Sequence, residues 1–541
     1  MSDNTTLTKP LATQREFDVV IIGAGFSGMY LLQRLRRLGF SVRVLDKAGG
    51  VGGTWYWNRY PGARCDVESM QYCFEFSSEL EQEWNWTERY AAQPEILVYA
   101  NHVADRFDLR RDIQLDTQVD AAVFDEADKC WIIKTDDGAQ LRARFCVMAT
   151  GCLSAPNTPR IPGLDSFEGA LYHTGDWPHE PVDFSGQRVG IIGTGSSAIQ
   201  SIPVIAAQAQ HLYVFQRTAH WTVPAHNHDL AHDERDRIKR QYAEIRARAK
   251  DSFSASDLPI NDAPAAEASG AERLDRFEKG WSIGGFSFLT TFNDLLYNAD
   301  SNKAAADFAA AKIKEVVEDP TVAELLTPKI IIGGKRLCLD TGYYQTFNRT
   351  NVTLVDISGT PIESIVPNGL RARGQDYKLD ALVLATGFDA MTGALLNIDI
   401  RGRNTLKLKD KWAMGTPNLL GLCMAGFPNL FAVNGPGSPS VFTNMMPAIE
   451  QHVEWISDCL VYLREHGLKI IEATDEAEAG WLHHCDEVAQ GHLRATCDSW
   501  YVGANIPGKP RTLMPYIGGF PLYTKKCNDV ATSRYQGFRL G

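Results

Sequence analysis

Apolar and polar positions fall into two kinds of block along this chain. The run Phe17-Asp-Val-Val-Ile-Ile22 reads as a strand and stops at Gly23. From Gly28 the apolar positions recur at Leu31, Leu32 and Leu35, the spacing of one helical face. A second strand, Val42 to Leu45, ends at Asp46. The same order returns at Val189 to Ile192, which stops at Gly193 ahead of a helical stretch. Pro203 lies inside that stretch and predicts a kink. A strand at Leu212 to Phe215 follows. The pattern predicts an α/β fold with two strand, glycine-turn, helix units.

Between about His226 and Thr327 the texture changes. Ala225 to Arg248 is charged and helix-like, Ala304 to Leu326 is Ala-rich at helical spacing, and no β alternation stands out. A helical insertion is expected there. The α/β texture returns from Lys329 to Asp389. The remainder, to Gly541, is mixed and rich in turns such as Asn434-Gly-Pro-Gly-Ser-Pro439.

Composition narrows the classes. The 541 residues suggest roughly three to four domains. A 44% hydrophobic and 22% charged make-up excludes disordered and collagen-like chains. The net charge, 54 − 66 = −12, argues against nucleic acid or an anionic membrane as the main partner. The 11 cysteines are odd in number and none is spaced C-x-x-C. That removes support for a disulfide framework, a metal site or a dithiol redox centre, and a reducing cytoplasm is expected. Met1 to Glu16 is polar, without the apolar core of a secretory signal, and no run is long enough for a membrane span.

The glycine turns carry chemistry. Gly23, Gly25 and Gly28 form G-x-G-x-x-G, with Ser27 between them. Its first glycine allows the tight turn, the second admits a pyrophosphate, and the third lets helix and strand pack. The helix N-terminus then offers free N–H groups to phosphate. Asp46 lies 21 positions after Gly25, where an acid accepts the hydroxyls of an adenosine ribose. The second turn is Gly193-Thr194-Gly195-Ser196-Ser197-Ala198, with Gln200 just beyond. Counting 21 from Gly195 reaches Gln216, then Arg217 and Thr218. A cation beside a hydroxyl suits a 2′-phosphate, so NADP is expected over NAD. Ala149-Thr-Gly151 and Ala385-Thr-Gly387, each after an apolar strand, resemble the segments that close each binding domain in two-dinucleotide flavoproteins. A flavin plus a nicotinamide implies hydride transfer from NADPH to FAD.

One segment indicates what the electrons do next. Phe167, Gly169, His173, Trp177 and Pro178 fit F-x-G-x-x-x-H-x-x-x-W-[P/D] between the two turns. With Gly52 to Asp66, Lys335-Arg336 and Cys497 to Lys509, this resembles the type I Baeyer–Villiger monooxygenases over nearly the whole chain. Gly435 to Ser440 places the resemblance nearest the phenylacetone-oxidising branch and further from the cyclohexanone-oxidising one.

The resemblance implies two Rossmann-like domains with a helical insertion. FAD would take residues 1–151 and 390–541, NADP would take 152–225 and 330–389, and the insertion would span 226–329. It implies that reduced flavin adds O2 at C4a and that the peroxide attacks a ketone, giving an ester or lactone, with thioether sulfoxidation as a side activity. Arg336 matches the catalytic arginine and Asp66 the carboxylate that positions it. Thr54, Trp55, Tyr56, Trp57, Asp66, Tyr72, Val119 and Met445 match flavin-contacting positions. Lys335, with Arg217 and Thr218, matches the 2′-phosphate site, and Trp500 a loop that closes over NADP. Ser440, Val441 and Phe442 match the substrate-facing loop, and the signature residues match a coupling between domains. Expected partners are a small-molecule ketone and O2. The sequence sets no oligomeric state, and a monomer is compatible with it. Two rivals stay open: an N- or S-oxygenating flavin monooxygenase, and a flavin redox sensor without turnover.

Overall fold

A computed structural model describes residues 15–541. Most of the polar N-terminal stretch read above for a targeting signal lies outside them. Two sheets organise the chain. In the first, the order is Asp399–Arg401, Val119–Asp125, Cys130–Thr135, Gln140–Met148, Arg15–Ile22, Val42–Leu45, Ile113–Gln114. The strand Arg15–Ile22 runs parallel to both neighbours, and Val19, Val20 and Ile21 are fully buried. Burial on both faces explains its near-continuous apolar run. Gln140–Met148 pairs antiparallel with Cys130–Thr135 along its first half and parallel with Leu430–Ala432 at its end.

The second sheet has five parallel strands in the order Val352–Asp356, His211–Gln216, Arg188–Ile192, Ala381–Leu384, Ala170–His173. Each sheet has a helix leading from its glycine turn. Phe26–Arg37 buries Met29, Leu31, Leu32 and Leu35, partly against the long helix Met445–Glu465. Ser196–Gln208 is one continuous helix with Pro203 inside it. Ile199, Ile202 and Ile205 are buried on one side of it. Their packing outweighs the hydrogen bond that Pro203 cannot make.

Between Pro224 and Cys338 the described chain forms helices and no strand. The Ala-rich stretch becomes Ala299–Val316, which stops where the Asp319 side chain caps a new helix, Pro320–Leu326, by accepting the Thr321 and Val322 N–H groups. The charged stretch becomes His232–Arg240 and Tyr242–Asp251.

The chain crosses between the two sheets twice, and the crossings pair with each other. Asn157 N–H donates to Gly387 O at 2.9 Å, Asp389 N–H to Ala155 O at 2.9 Å, and Met391 N–H to Cys152 O at 2.8 Å. No helix of the described residues is long and apolar enough to cross a membrane.

Candidate active site

The first glycines of the two turns meet their sheets alike. Gly23 has φ +113° and Gly193 φ +114°. A Cβ on Gly23 would lie 2.3 Å from Ala149 O, and one on Gly193 2.4 Å from Ala385 O. Each A-T-G segment is thus the neighbour that makes its first glycine obligatory. At the third position the turns part. A Cβ on Gly28 would fall 1.9 Å from Gly23 O, whereas Ala198 is buried without difficulty.

A cavity of about 800 Å³ opens where the first sheet ends. Gly23, Gly25, Ser27, Asp46, Thr54, Trp55, Trp57, Asp66, Tyr72, Val119 and Met445 stand on its wall. So do Ser196, Gln200, Arg336, Val441 and Trp500, which brings the second turn to the same space. Three features fit a dinucleotide there. Helix Phe26–Arg37 has Gly25 as N-cap with no side-chain cap, so its first N–H groups face the cavity. Gly25 and Gly53 approach so closely that a Cβ on Gly53 would lie 2.9 Å from Gly25 Cα. Asn434, on the wall, has both side-chain polar atoms buried without a partner.

Asp46 accepts the Ala24 N–H at 2.6 Å and the Ala48 N–H at 2.8 Å, and burial pushes its carboxyl up despite those donors. Trp55 Nε1 donates to the Tyr72 hydroxyl at 3.1 Å. Tyr56 stands off the wall: its hydroxyl accepts from Gly49 N–H, and its ring lies 4.6 Å from His179. Gln200 is committed to protein. Its Oε1 accepts from the Tyr60 hydroxyl at 2.8 Å, and its Nε2 donates to Arg64 O at 3.1 Å. That pins the second-turn helix to the first-sheet region.

On the second side, a Cβ at Gly195 would meet nothing within 4 Å. Thr194 Oγ donates to Thr218 O at 2.7 Å, and Ser197 Oγ pairs with Thr174 Oγ at 3.1 Å. Arg217 and Thr218 are exposed. Burial draws the Lys335 ammonium below its usual range, and nearby Arg217 adds to that. The two cations feel each other's charge, which an anion between them would relieve. Neither is on the wall of the larger cavity.

Arg336 and Asp66 meet between the two sides. Nε and Nη2 of Arg336 donate to the two Asp66 oxygens at 2.5 and 2.7 Å, and Nη1 donates to Val441 O at 2.6 Å. Burial opposes the charge, but Asp66 more than offsets it and holds the guanidinium charged. Arg336, Val67, Val441 and Thr443 also line a second cavity of about 290 Å³. Its other walls are largely apolar: Phe253, Phe286, Leu289, Phe292, Phe442 and Tyr501 among them. Arg336 is therefore a cation at the junction of a large polar cavity and a small apolar one. Ser440, fully buried at φ +41°, turns the chain so that Val441 O reaches Arg336.

Trp500 is half-buried on the larger cavity wall, its ring 4.2 Å from that of Tyr501. Its loop is tied to the second crossing: Asn505 Nδ2 donates to Phe388 O at 2.7 Å and Lys509 Nζ to Asp389 at 2.6 Å. His173 braces both crossings, with Nε2 at 3.3 Å from Asn157 O and 3.2 Å from Thr386 Oγ, while Nδ1 accepts the Gly175 N–H. Trp177 is buried against Tyr172 and Phe184, Phe167 packs beside the second sheet, and Pro178 is exposed. A Cβ on Gly169 would lie 2.5 Å from Asp380 O.

Residues that sequence reasoning missed are Tyr60 and Arg64, which hold Gln200, and Asn434, named only as part of a turn. No group of His, Cys, Asp and Glu among the described residues could hold a metal ion.

Residues 20–257 match the family described as pyridine nucleotide-disulphide oxidoreductase. All 11 cysteines are free, so the dinucleotide part of that description applies and the disulfide part has no counterpart here. A Baeyer-Villiger monooxygenase from Pseudooceanicola batsensis is 43% identical, over 99% of this chain and 98% of the relative. Phenazine N-monooxygenase PhzNO1 from Lysobacter antibioticus is 42% identical, over 97% of each. The solved structure of an oxidized steroid monooxygenase bound to NADP superposes with a TM-score of 0.93 at 50% identity, covering 97% of this chain and 99% of that one.

Proposed function

This chain belongs to the Baeyer–Villiger monooxygenases, and from that premise we propose that it turns a ketone into an ester or lactone where its two cavities meet. FAD and NADPH are the cofactors. When bound, the flavin accepts hydride from NADPH and activates O2 for insertion.

The chain's own residues bind, orient and stabilise. The uncapped helix N-terminus at Gly25 would hold the pyrophosphate of FAD, and Asp46 would hold its ribose. Arg217 and Lys335 would hold the NADPH 2′-phosphate, with Thr218 beside them. Arg336 carries the chemistry. Each of its nitrogens donates once to protein, which leaves one N–H on each terminal nitrogen. Those two donors, fixed by Asp66 and Val441, would stabilise negative charge on the oxygen of the reacting carbonyl. The apolar walls of the smaller cavity exclude water and seat the ketone. We further propose that FAD takes residues 1–151 and 390–541, that NADP takes 152–225 and 330–389, and that 226–329 is an insertion that walls the ketone cavity. His173 would couple the two through the paired crossings.

The observation that carries this reading is Arg336, paired to Asp66, at the shared wall of both cavities. A ketone panel tests it by NADPH loss with product analysis, using phenylacetone, cyclohexanone, linear ketones and a steroid ketone. Ester or lactone is expected from at least one. Steady NADPH loss with peroxide as the sole product from all would overturn it. N-oxygenation of a ring nitrogen is a second reading, supported by the phenazine relative. Phenazine in the same panel, analysed for N-oxide, decides between them.

A further inference from the structure

The smaller cavity contains a second guanidinium that the reading above does not use. Arg494 lies on the turn Leu493–Thr496 and stands on the cavity wall with Arg336. Its Nε donates to Gly333 O at 2.8 Å, and its guanidinium carbon lies 4.9 Å from the centre of the Phe442 ring. Nη1 and Nη2 have no protein acceptor among the described residues, and no carboxylate there lies within 4.0 Å of the side chain. The charged group it does feel is unfavourable: Arg336.

The two arginines differ in what they still lack. Arg336 has its charge matched by Asp66 and three of its donors filled. Arg494 has neither. Arg494 is half-buried, and holding a cation there without a partner has a cost that a Leu or Phe packed among Tyr297, Phe442 and Tyr501 would not have. Its planar fork matches a carboxylate, which it would bind through two parallel hydrogen bonds. His492 does not compete as a cation. Burial, helped by Arg494, lowers it to about 3, and its Nδ1 accepts the Arg494 N–H.

We propose that the smaller cavity takes a ketone that carries a carboxylate, the carbonyl toward Arg336 and the carboxylate paired with Arg494. This rests on the Baeyer–Villiger reading of the site. A volume of about 290 Å³ equals about ten waters at roughly 30 Å³ each, room for a small keto acid. An anion could also come from the coenzyme phosphate. The cavity favours the substrate, because Ser196 and Gln200 of the second turn line the larger cavity and not this one.

The test compares methyl ketones bearing a terminal carboxylate with their methyl esters, over a series of chain lengths, by kcat/KM for oxygenated product. The FAD-loaded wild type should favour the acid of the matching length by about 10- to 100-fold, the range of a charge-assisted hydrogen bond. Arg494→Met should erase the acid-to-ester ratio, and Arg494→Lys should restore part of it. Flavin absorbance confirms that each variant is folded and loaded. If Arg494→Met does not load, the wild-type ratio and Arg494→Lys carry the test. Should neither acids nor esters be oxygenated, the Baeyer–Villiger reading is what fails. Esters oxygenated as well as acids at every length would overturn the carboxylate assignment while leaving that reading intact. So would an Arg494→Met variant that keeps the acid preference and instead raises the KM for NADPH.

Discussion

The two glycine turns begin alike and end differently. Both first glycines sit at nearly the same φ against the alanine of an A-T-G segment. Beyond that, the first turn is tight and acidic: Gly28 is pressed on Gly23, Gly25 on Gly53, and Asp46 closes the rim. The second is loose and basic: Gly195 is open, Ala198 is accommodated, and Arg217 and Lys335 stand near each other. One motif thus serves two purposes. Under the proposed reading the tight, walled turn takes a cofactor that stays, and the open turn with Arg217 and Lys335 near it takes one that comes and goes each cycle.

Four changes break or sharpen that contrast. The largest effect is expected between the turns. Arg336→Ala should lower ester formation on the order of 10²- to 10³-fold, the scale of a lost oxyanion donor. NADPH-driven bleaching of the flavin should persist, as stopped-flow absorbance will show. Next comes the tight turn. Gly28→Ala puts a methyl into the Gly23 carbonyl and should yield protein largely without flavin, measured as the flavin-to-protein absorbance ratio. The third position of the other turn is already Ala198, so the methyl there goes on its second glycine: Gly195→Ala should keep its flavin, and equal flavin loss in both would erase the contrast.

Third is the pair of cations. Arg217→Ala with Lys335→Ala should raise the KM for NADPH about 10- to 100-fold and change that for NADH far less. Equal loss for both coenzymes would remove the 2′-phosphate assignment.

The smallest effect is on acid stability. His452 lies behind Asn434, accepts its N–H at 3.0 Å, and is fully buried. Burial lowers it from 6.5 to about 3. The unfolded chain therefore takes up a proton below pH 6.5 while the folded chain does not. Stability is present above that pH and is lost as pH falls from 6.5 toward 3. The first pH unit below 6.5 should cost about 1 kcal/mol from this residue. Urea midpoints of wild type and His452→Gln across that window check it, and a variant with the same slope as wild type would contradict it.

Local features were legible in the sequence because their causes are local. The strand Arg15–Ile22, both turns and the helical stretch after Pro224 follow from periodicity and glycine placement. The helix Ser196–Gln208 continues past Pro203, because burial of three isoleucines is a tertiary effect that a local proline rule omits. The pairing of Asp66 with Arg336 spans 270 positions, and only family resemblance suggested it. The Gln200 anchor on Tyr60 and Arg64 is of the same kind. Arg494 carried no signal at all: a lone arginine in a turn reads as surface charge until the insertion and the C-terminal part close a cavity around it.

The central claim is that oxygen from O2 enters the ketone at Arg336. Turnover of a ketone from the panel under labelled 18O2, with mass analysis of the ester, tests it most directly. One labelled oxygen per ester is expected from the wild type, with almost none formed by Arg336→Ala. Ester that carries no label, or labelled ester formed equally by Arg336→Ala, would contradict the account.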